Sequence, residues 1–238
     1  RSVELPETAM ILAAGRGSRM GALTEALPKP LLQVGGRAIV DRVLDRLAEA
    51  GISRAVINLH HGAALLREHL SGRGDPALQF SDESGGLLDT GGGVAKALPL
   101  LGGRPFYVIN GDVLWFDRMG NSLHALAARF LSGQMDALLL LQPTVGATGY
   151  SGVGDFIMLA DGQLQRRPER EVAPFIHTGV QILRPELFKN CPKGPFSLNR
   201  IYDRAAARNR LFGLRHEGEW MELNRPEGLA AAAQALLD

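Results

Sequence analysis

The stretch that most constrains this chain lies near its start, where Met10-Ile11-Leu12-Ala13 opens into Ala14-Gly15-Arg16-Gly17-Ser18-Arg19. The apolar run has the length of a short buried strand. Glycines after it let backbone N–H groups approach an anion closely, and a row of such groups makes an anion cradle. Lys29 follows, fixed between Pro28 and Pro30. Proline at position 30 biases Lys29 away from the helical region and keeps the segment extended. Arg19 offers a planar fork and Lys29 a point charge. The stretch therefore reads as a triphosphate site on the end of a first strand.

Two familiar phosphate motifs do not fit. No Gly-Lys-Ser/Thr follows Gly15, as a P-loop requires. The dinucleotide fingerprint wants a glycine where Met20 stands, and an acid near the end of a second strand, where the chain has Asn58, His60 and His61.

The 238 residues suit one large domain or two fused lobes. A net charge of +1 argues against a general nucleic-acid or membrane binder. The single cysteine, Cys191, has no internal partner, which fits a cytoplasmic protein. No apolar run approaches the ~20 residues needed to span a bilayer. Arg1 to Pro6 are given no role.

Strand and helix alternate in the first half. Strands are expected at Thr8 to Ala13, Arg54 to Leu59, Leu78 to Ser81 and Pro105 to Asn110, and helices at Ile39 to Ala50, Ala63 to Leu70 and Thr90 to Leu98. This order implies right-handed crossovers, a mainly parallel sheet, and ligands beyond the carboxyl ends of its strands. The second half reads as a helix from Leu123 to Leu131, a strand from Asp136 to Leu141 and a hairpin turning at Asp161-Gly162. A strand from Phe175 to Leu183 and a helix capped by Ser197 and running to Asn209 follow. Two short strands, at Leu211 to Leu214 and Trp220 to Leu223, and a helix opened by Pro226 complete it.

Leu12 to Met20 with Pro28-Lys29-Pro30 resembles the signature of the sugar-1-phosphate nucleotidyltransferases. Leu88 to Gly93, Asn110-Gly111-Asp112-Val113 and Gly152 to Phe156 extend that resemblance over most of the chain. Within the family the nearest branch is the one that uridylylates N-acetylmuramic acid 1-phosphate, with mannose-1-phosphate guanylylation as the rival. A non-catalytic nucleotide-sugar sensor is the alternative of a different class.

The resemblance implies an α/β fold, a Rossmann-like three-layer α/β/α sandwich with a mainly parallel sheet. It implies a single nucleotidyltransferase domain, with about 8–112 binding nucleotide and about 113–238 binding sugar. Its substrates are a nucleoside triphosphate and a sugar 1-phosphate, and its cofactor is Mg²⁺. A monomer or simple homodimer, without nucleic-acid or membrane partners, is expected.

Carried over by position, Arg19, Lys29 and Asp112 become catalytic, and Ala13, Ala14, Gly15, Gly17, Thr90 and Gly91 bind nucleotide alongside Arg19 and Lys29. Asn110, Gly149, Glu171 and Thr178 contact the sugar phosphate. Asp112 and Glu222 hold the metal, Mg²⁺ taking one or two carboxylates plus substrate oxygens. The family motif resembles Trp-x-Asp-Val-Gly-Thr-Pro, where this chain has Trp220-Met221-Glu222-Leu223-Asn224-Arg225-Pro226. Glu222 thus replaces an aspartate, and Gly21 stands where relatives commonly carry arginine.

Other readings stay open on the residues themselves. Asp112 reads equally as a turn aspartate, and Thr90 to Gly93 as a plain helix entry. Asp82 and Glu83, just before that helix entry, read as acids facing a base edge or, more commonly, as surface loop acids. The Arg166, Arg167, Arg170, Glu171 cluster reads as a sugar-phosphate contact or a solvated hairpin end.

Overall fold

The computed structural model describes residues 5–15, 17–131, 133–147 and 150–237. The first half comprises β1 (Thr8–Leu12), the small hairpin β2 (Gln33–Val34) and β3 (Arg37–Ala38), α1 (Ile39–Glu49), β4 (Arg54–Leu59), α2 (Ala63–Leu70), β5 (Ala77–Asp82), α3 (Asp89–Leu101) and β6 (Phe106–Asn110). The second comprises β7 (Val113–Phe116), α4 (Ser122–Arg129), β8 (Ala137–Pro143), β9 (Phe156–Met158), β10 (Leu164–Arg166), β11 (Phe175–Leu183), α5 (Asn199–Ala206), β12 (Leu211–Arg215), β13 (Glu219–Glu222) and α6 (Pro226–Ala235).

The central sheet runs β5-β4-β1-β6-β11-β8-β12. β5, β4, β1 and β6 are parallel, as are β8 and β12, and β11 runs against both of its neighbours. The crossover from β6 through α4 to β8 leaves a slot one strand wide. β11 enters that slot from the β9–β10 hairpin, which pairs onto its start.

Three layers follow from period-two alternation with apolar residues on both faces. Ala9, Ile11, Tyr107, Ile109, Leu138 and Leu140 face one side, where α1, α2 and α4 pack. Met10, Phe106, Val108, Leu139 and Leu141 face the other, where α3 and α5 pack. The α1 stripe of Ile39, Val40, Val43, Leu44 and Leu47 is fully buried. Each such side chain contributes roughly 1.5–3 kcal/mol of transfer free energy. A smaller cluster of Met20, Leu114, Met221, Leu223 and Ala232 seats α6 and the β7–β13 pair beside the N-terminal loop.

Local differences from the sequence expectations have local causes. α3 continues past Pro99 to Leu101 and ends at Gly102, whose left-handed φ of 85° favours a residue without Cβ. Asn121, not an apolar start at Leu123, opens α4, its side chain accepting from the amides of Leu123 and His124. α5 stops at Ala206, and Asn209 beyond it takes a left-handed φ of 56°. The hairpin β2–β3, missed from sequence, turns on Gly35 and Gly36 with φ of 55° and 73°.

Candidate active site

Chain order reverses between β1 and β6. β4 and β5 are laid down on one side of β1, and β6 returns to the other. A cleft of about 220 Å³ opens beyond the carboxyl ends of these strands, the position such a reversal favours. Its lining includes Ala13, Lys29, Asn58, Thr90, Asn110 and Asp112. The Gly111 amide donates to the Leu12 carbonyl at 2.8 Å, and a Cβ at 111 would stand 2.7 Å from that oxygen. Glycine at this position lets the loops after β1 and β6 touch.

At the mouth of the cleft, Lys29 Nζ donates to Asp112 Oδ2 at 2.8 Å. The lysine is nearly buried, with its side chain 11 % exposed, and the aspartate's is 36 % exposed. Glu222 arrives from the far end of the chain by strand pairing. β13 runs antiparallel to β7 with Glu222 opposite Val113, and the Leu223 amide donates to the Asp112 carbonyl at 2.8 Å. Partial burial first, and the Asp112 carboxylate second, push the Glu222 pKa up, while Lys29 and Arg19 pull it down. Four residues chosen from sequence, Arg19, Lys29, Asp112 and Glu222, therefore share one electrostatic neighbourhood.

Among the described residues no three His, Cys, Asp or Glu side chains gather into a metal cage. Two carboxylates with hard oxygens, partly exposed and beside the strand-end cleft, suit an ion that completes its shell with phosphate oxygens and water, the habit of Mg²⁺. The Asp112 and Glu222 carboxylates fit that ion.

The remaining expectations divide. Ala13 and Ala14 line the cleft, but their amides already donate to Asn58 Oδ1, at 2.6 and 3.2 Å. Gly15 is exposed at the cleft edge, and Gly17 turns the chain with φ of 65°, its carbonyl accepting from Met20 N–H and from Thr24 Oγ1. Thr90 lines the cleft and accepts from the Leu198 amide through Oγ1.

Gly91 is buried away from it. A Cβ there would stand 2.4 Å from the Phe196 ring, and at Gly92 2.6 Å from the Gly194 carbonyl. Gly91 and Gly92 are thus required by the packing of residues 194–196 on α3. Asn110 closes β6 and is accommodated by Gly179, where a Cβ would meet Asn110 Nδ2 at 2.7 Å.

Two sugar-side expectations meet a different geometry. Thr178 is fully buried, and its hydroxyl donates to the Leu140 carbonyl at 2.8 Å within an irregular step of the β8–β11 ladder. Period-two alternation puts it on the same face of β11 as Ile176, Val180 and Ile182, toward the core, so it offers no hydroxyl to a sugar. Glu171 is exposed on the loop before β11, outside the cleft lining, its carbonyl accepting from Arg167. Arg167 also donates to the Gly154 carbonyl, and Arg166 pairs with Asp203, so both arginines brace the hairpin. Gly149 lies outside the described residues.

Sequence reasoning missed Asn58 and favoured a surface position for Glu83. Glu83 is 1 % exposed and lines the cleft, contrary to the expectation of a surface acid. The readable signal was position: both stand at or just past the carboxyl end of a strand.

Residues 9–143 match the model of the MobA-like NTP transferase domain. The chain is 39 % identical to an N-acetylmuramate alpha-1-phosphate uridylyltransferase of Caulobacter vibrioides, over 99 % of both chains. It is 38 % identical to one of Neisseria meningitidis, covering 90 % of this chain and 92 % of that one. A Bacillus anthracis structure, assigned as a glucose-1-phosphate thymidylyltransferase, superposes with a TM-score of 0.82 at 18 % identity, over 97 % of this chain and 95 % of that one. The chain belongs to the MobA-like NTP transferase family, among its sugar-1-phosphate nucleotidyltransferases.

Proposed function

We propose that this protein transfers a uridylyl group from UTP to N-acetylmuramic acid 1-phosphate, using Mg²⁺ and releasing pyrophosphate. The similarity to two uridylyltransferases at 38–39 % identity supports the substrate pair. The observation that carries the chemistry is the Lys29–Asp112 pair at the strand-end cleft, with β13 paired so that Glu222 stands beside Asp112, lining the neighbouring hollow with Tyr150 and Asn224.

A sugar-phosphate oxygen attacks the α-phosphorus. One P–O bond forms, the bond to the bridging oxygen breaks, and pyrophosphate leaves with its electron pair. No protein nucleophile is required, so position and charge carry the reaction. Bound at Asp112 and Glu222, Mg²⁺ would neutralise phosphate charge during the displacement. Lys29 and Arg19 hold the triphosphate from the N-terminal side. Thr90 and its neighbours flank the nucleoside, and the part after Asp112 receives the sugar.

The test is pyrophosphate release with Mg²⁺ across UTP, GTP, CTP, dTTP and ATP, each with N-acetylmuramic acid, mannose or glucose 1-phosphate. Release from UTP with the muramic acid phosphate is expected. Release only from GTP with mannose 1-phosphate would overturn the substrate pair, and silence across the panel would overturn the reaction.

A further inference from the structure

Behind the cleft wall runs a relay of hydrogen bonds whose ends reach two sides of the nucleotide site. Asn58 ends near the bottom of the cleft at 3 % exposure, and Glu83 follows β5 at 1 %. Asn58 Oδ1 accepts from the Ala13 and Ala14 amides, and Asn58 Nδ2 donates to Glu83 Oε1 at 2.8 Å. Glu83 Oε2 accepts from the Leu88 amide at 3.1 Å. One carboxylate thus joins the loop after β1 to the segment that leads into Thr90. The helix α3 presses on this joint. A Cβ at Gly93 would stand 2.8 Å from Glu83 Oε1 and 3.0 Å from Asn58 Nδ2.

Buried polar groups are costly unless hydrogen-bonded, and an apolar pair of similar volume would serve stability as well. What the relay adds is a fixed distance between two backbone segments that meet the ligand. We propose that Glu83 is a positioning residue for the nucleotide: through Asn58 it sets the Ala13–Ala14 end of the phosphate loop, and through Leu88 it sets the wall that carries Thr90. This rests on the cleft being the nucleotide site.

The donor pattern makes a reciprocal test available. Glu83→Gln leaves one acceptor where two are needed, so either the Asn58 or the Leu88 link faces another donor. Asn58→Asp puts two acceptor oxygens face to face. The double variant Asn58→Asp/Glu83→Gln restores every link with donor and acceptor exchanged between positions 58 and 83. UTP affinity with Mg²⁺ is measured by titration calorimetry at 25 °C on wild type and variants, alongside Tm and the KM of each substrate.

Each single variant is expected to weaken UTP about tenfold, the scale of one broken buried hydrogen bond. The loss falls on nucleotide Kd and KM, not on the sugar-phosphate KM, and the double variant returns to within about threefold of wild type. Gly93→Ala, which strains the joint without removing a polar atom, weakens UTP in the same direction and serves if a single variant does not fold.

A fall in Tm with UTP affinity unchanged would make Glu83 a fold-holding residue only and overturn the proposal. So would failure of the double variant to recover affinity. Wild type that binds UTP but turns nothing over would end the proposed reaction, while the Kd series still decides the relay. Wild type that binds no nucleotide would overturn both.

Discussion

The Leu223 amide donates to the Asp112 carbonyl at 2.8 Å, extending the β7–β13 ladder by one bond beyond the Glu222–Val113 pair. That bond fixes the end of β13 against the turn that follows β6. Two carboxylates remote in sequence thereby come to one place through backbone pairing, with Trp220 anchoring β13 from below by donating Nε1–H to the Thr178 carbonyl at 2.8 Å. The buried Thr178 thus supports the site's frame rather than touching a sugar.

If the pair holds the metal, Asp112→Asn removes a charge while keeping the shape. Pyrophosphate release is expected to fall at least about 100-fold, the scale lost when one charge-stabilising group is removed from a preorganised site. Lys29 is nearly buried and loses its counter-charge, but the oxygen of the new side-chain amide can still accept from its Nζ, so a fall in Tm of several degrees is expected with the fold retained. Steady-state assay and thermal melting on one preparation check this. Turnover near the wild-type value would remove Asp112 from the site.

Glu222 carries a pH signature. Its folded-state pKa is raised, so in the window between the ordinary and the raised value the folded chain binds more protons than the unfolded one. Stability from this group is therefore lost as pH rises through that window. Glu222→Gln escapes the loss. Its Tm is expected to exceed wild type at neutral pH without divalent ions, the gap closing as pH falls below the window. With Mg²⁺ and UTP the order reverses, because only wild type gains the metal. Parallel Tm curves at every pH would show a solvated carboxylate with no such coupling.

What was legible from sequence was local. The glycine loop, Lys29, Asp112 and Glu222 each sit in a short motif at a strand end, and strand-end position in an α/β sheet already implies convergence. What was illegible depended on neighbours distant in sequence. Whether Glu83 is a surface acid or a buried joint is decided by β5 lying beside β4 and by α3 crossing over both. Whether the Thr178 face of β11 meets sugar or core is decided by α4 packing over it. The place of β11 between β6 and β8, and its direction against both, are announced by no period in its own residues.

His177 supplies an acid-side prediction. Burial pushes its pKa down to about 4. The Gly179 amide donates to Nδ1 at 3.3 Å and Nε2 lies 3.1 Å from the Tyr202 hydroxyl, which itself donates to Gln181 Oε1 at 2.8 Å, so the ring sits neutral with its proton toward Tyr202. Between pH 6.5 and about 4 the unfolded chain takes a proton that the folded chain refuses. Stability then falls as pH falls, by up to about 3 kcal/mol across the window. His177→Gln is expected to start less stable at pH 7 but to show a shallower decline, read by urea unfolding at several pH values. An unchanged slope would place the acid sensitivity elsewhere.

Gly111 tests the closeness of the two loops directly. A Cβ there would meet the Leu12 carbonyl at 2.7 Å and the Ala13 Cα at 3.4 Å, and both contacts are backbone that cannot rotate away. Gly111→Ala must therefore separate the ends of β1 and β6 or weaken the Gly111–Leu12 hydrogen bond. Lost strand-end contact costs about 1–3 kcal/mol, an ordinary figure for overpacking. The larger effect is on function. The same shift carries Asp112 away from Lys29 and from the anion loop, and misplacement on the order of 1 Å is enough to cost about 100-fold in rate. Activity is thus expected to fall far more than the fraction folded, in assays run well below Tm. A variant whose rate falls only in step with its folded fraction would show that the loops after β1 and β6 need not touch for catalysis.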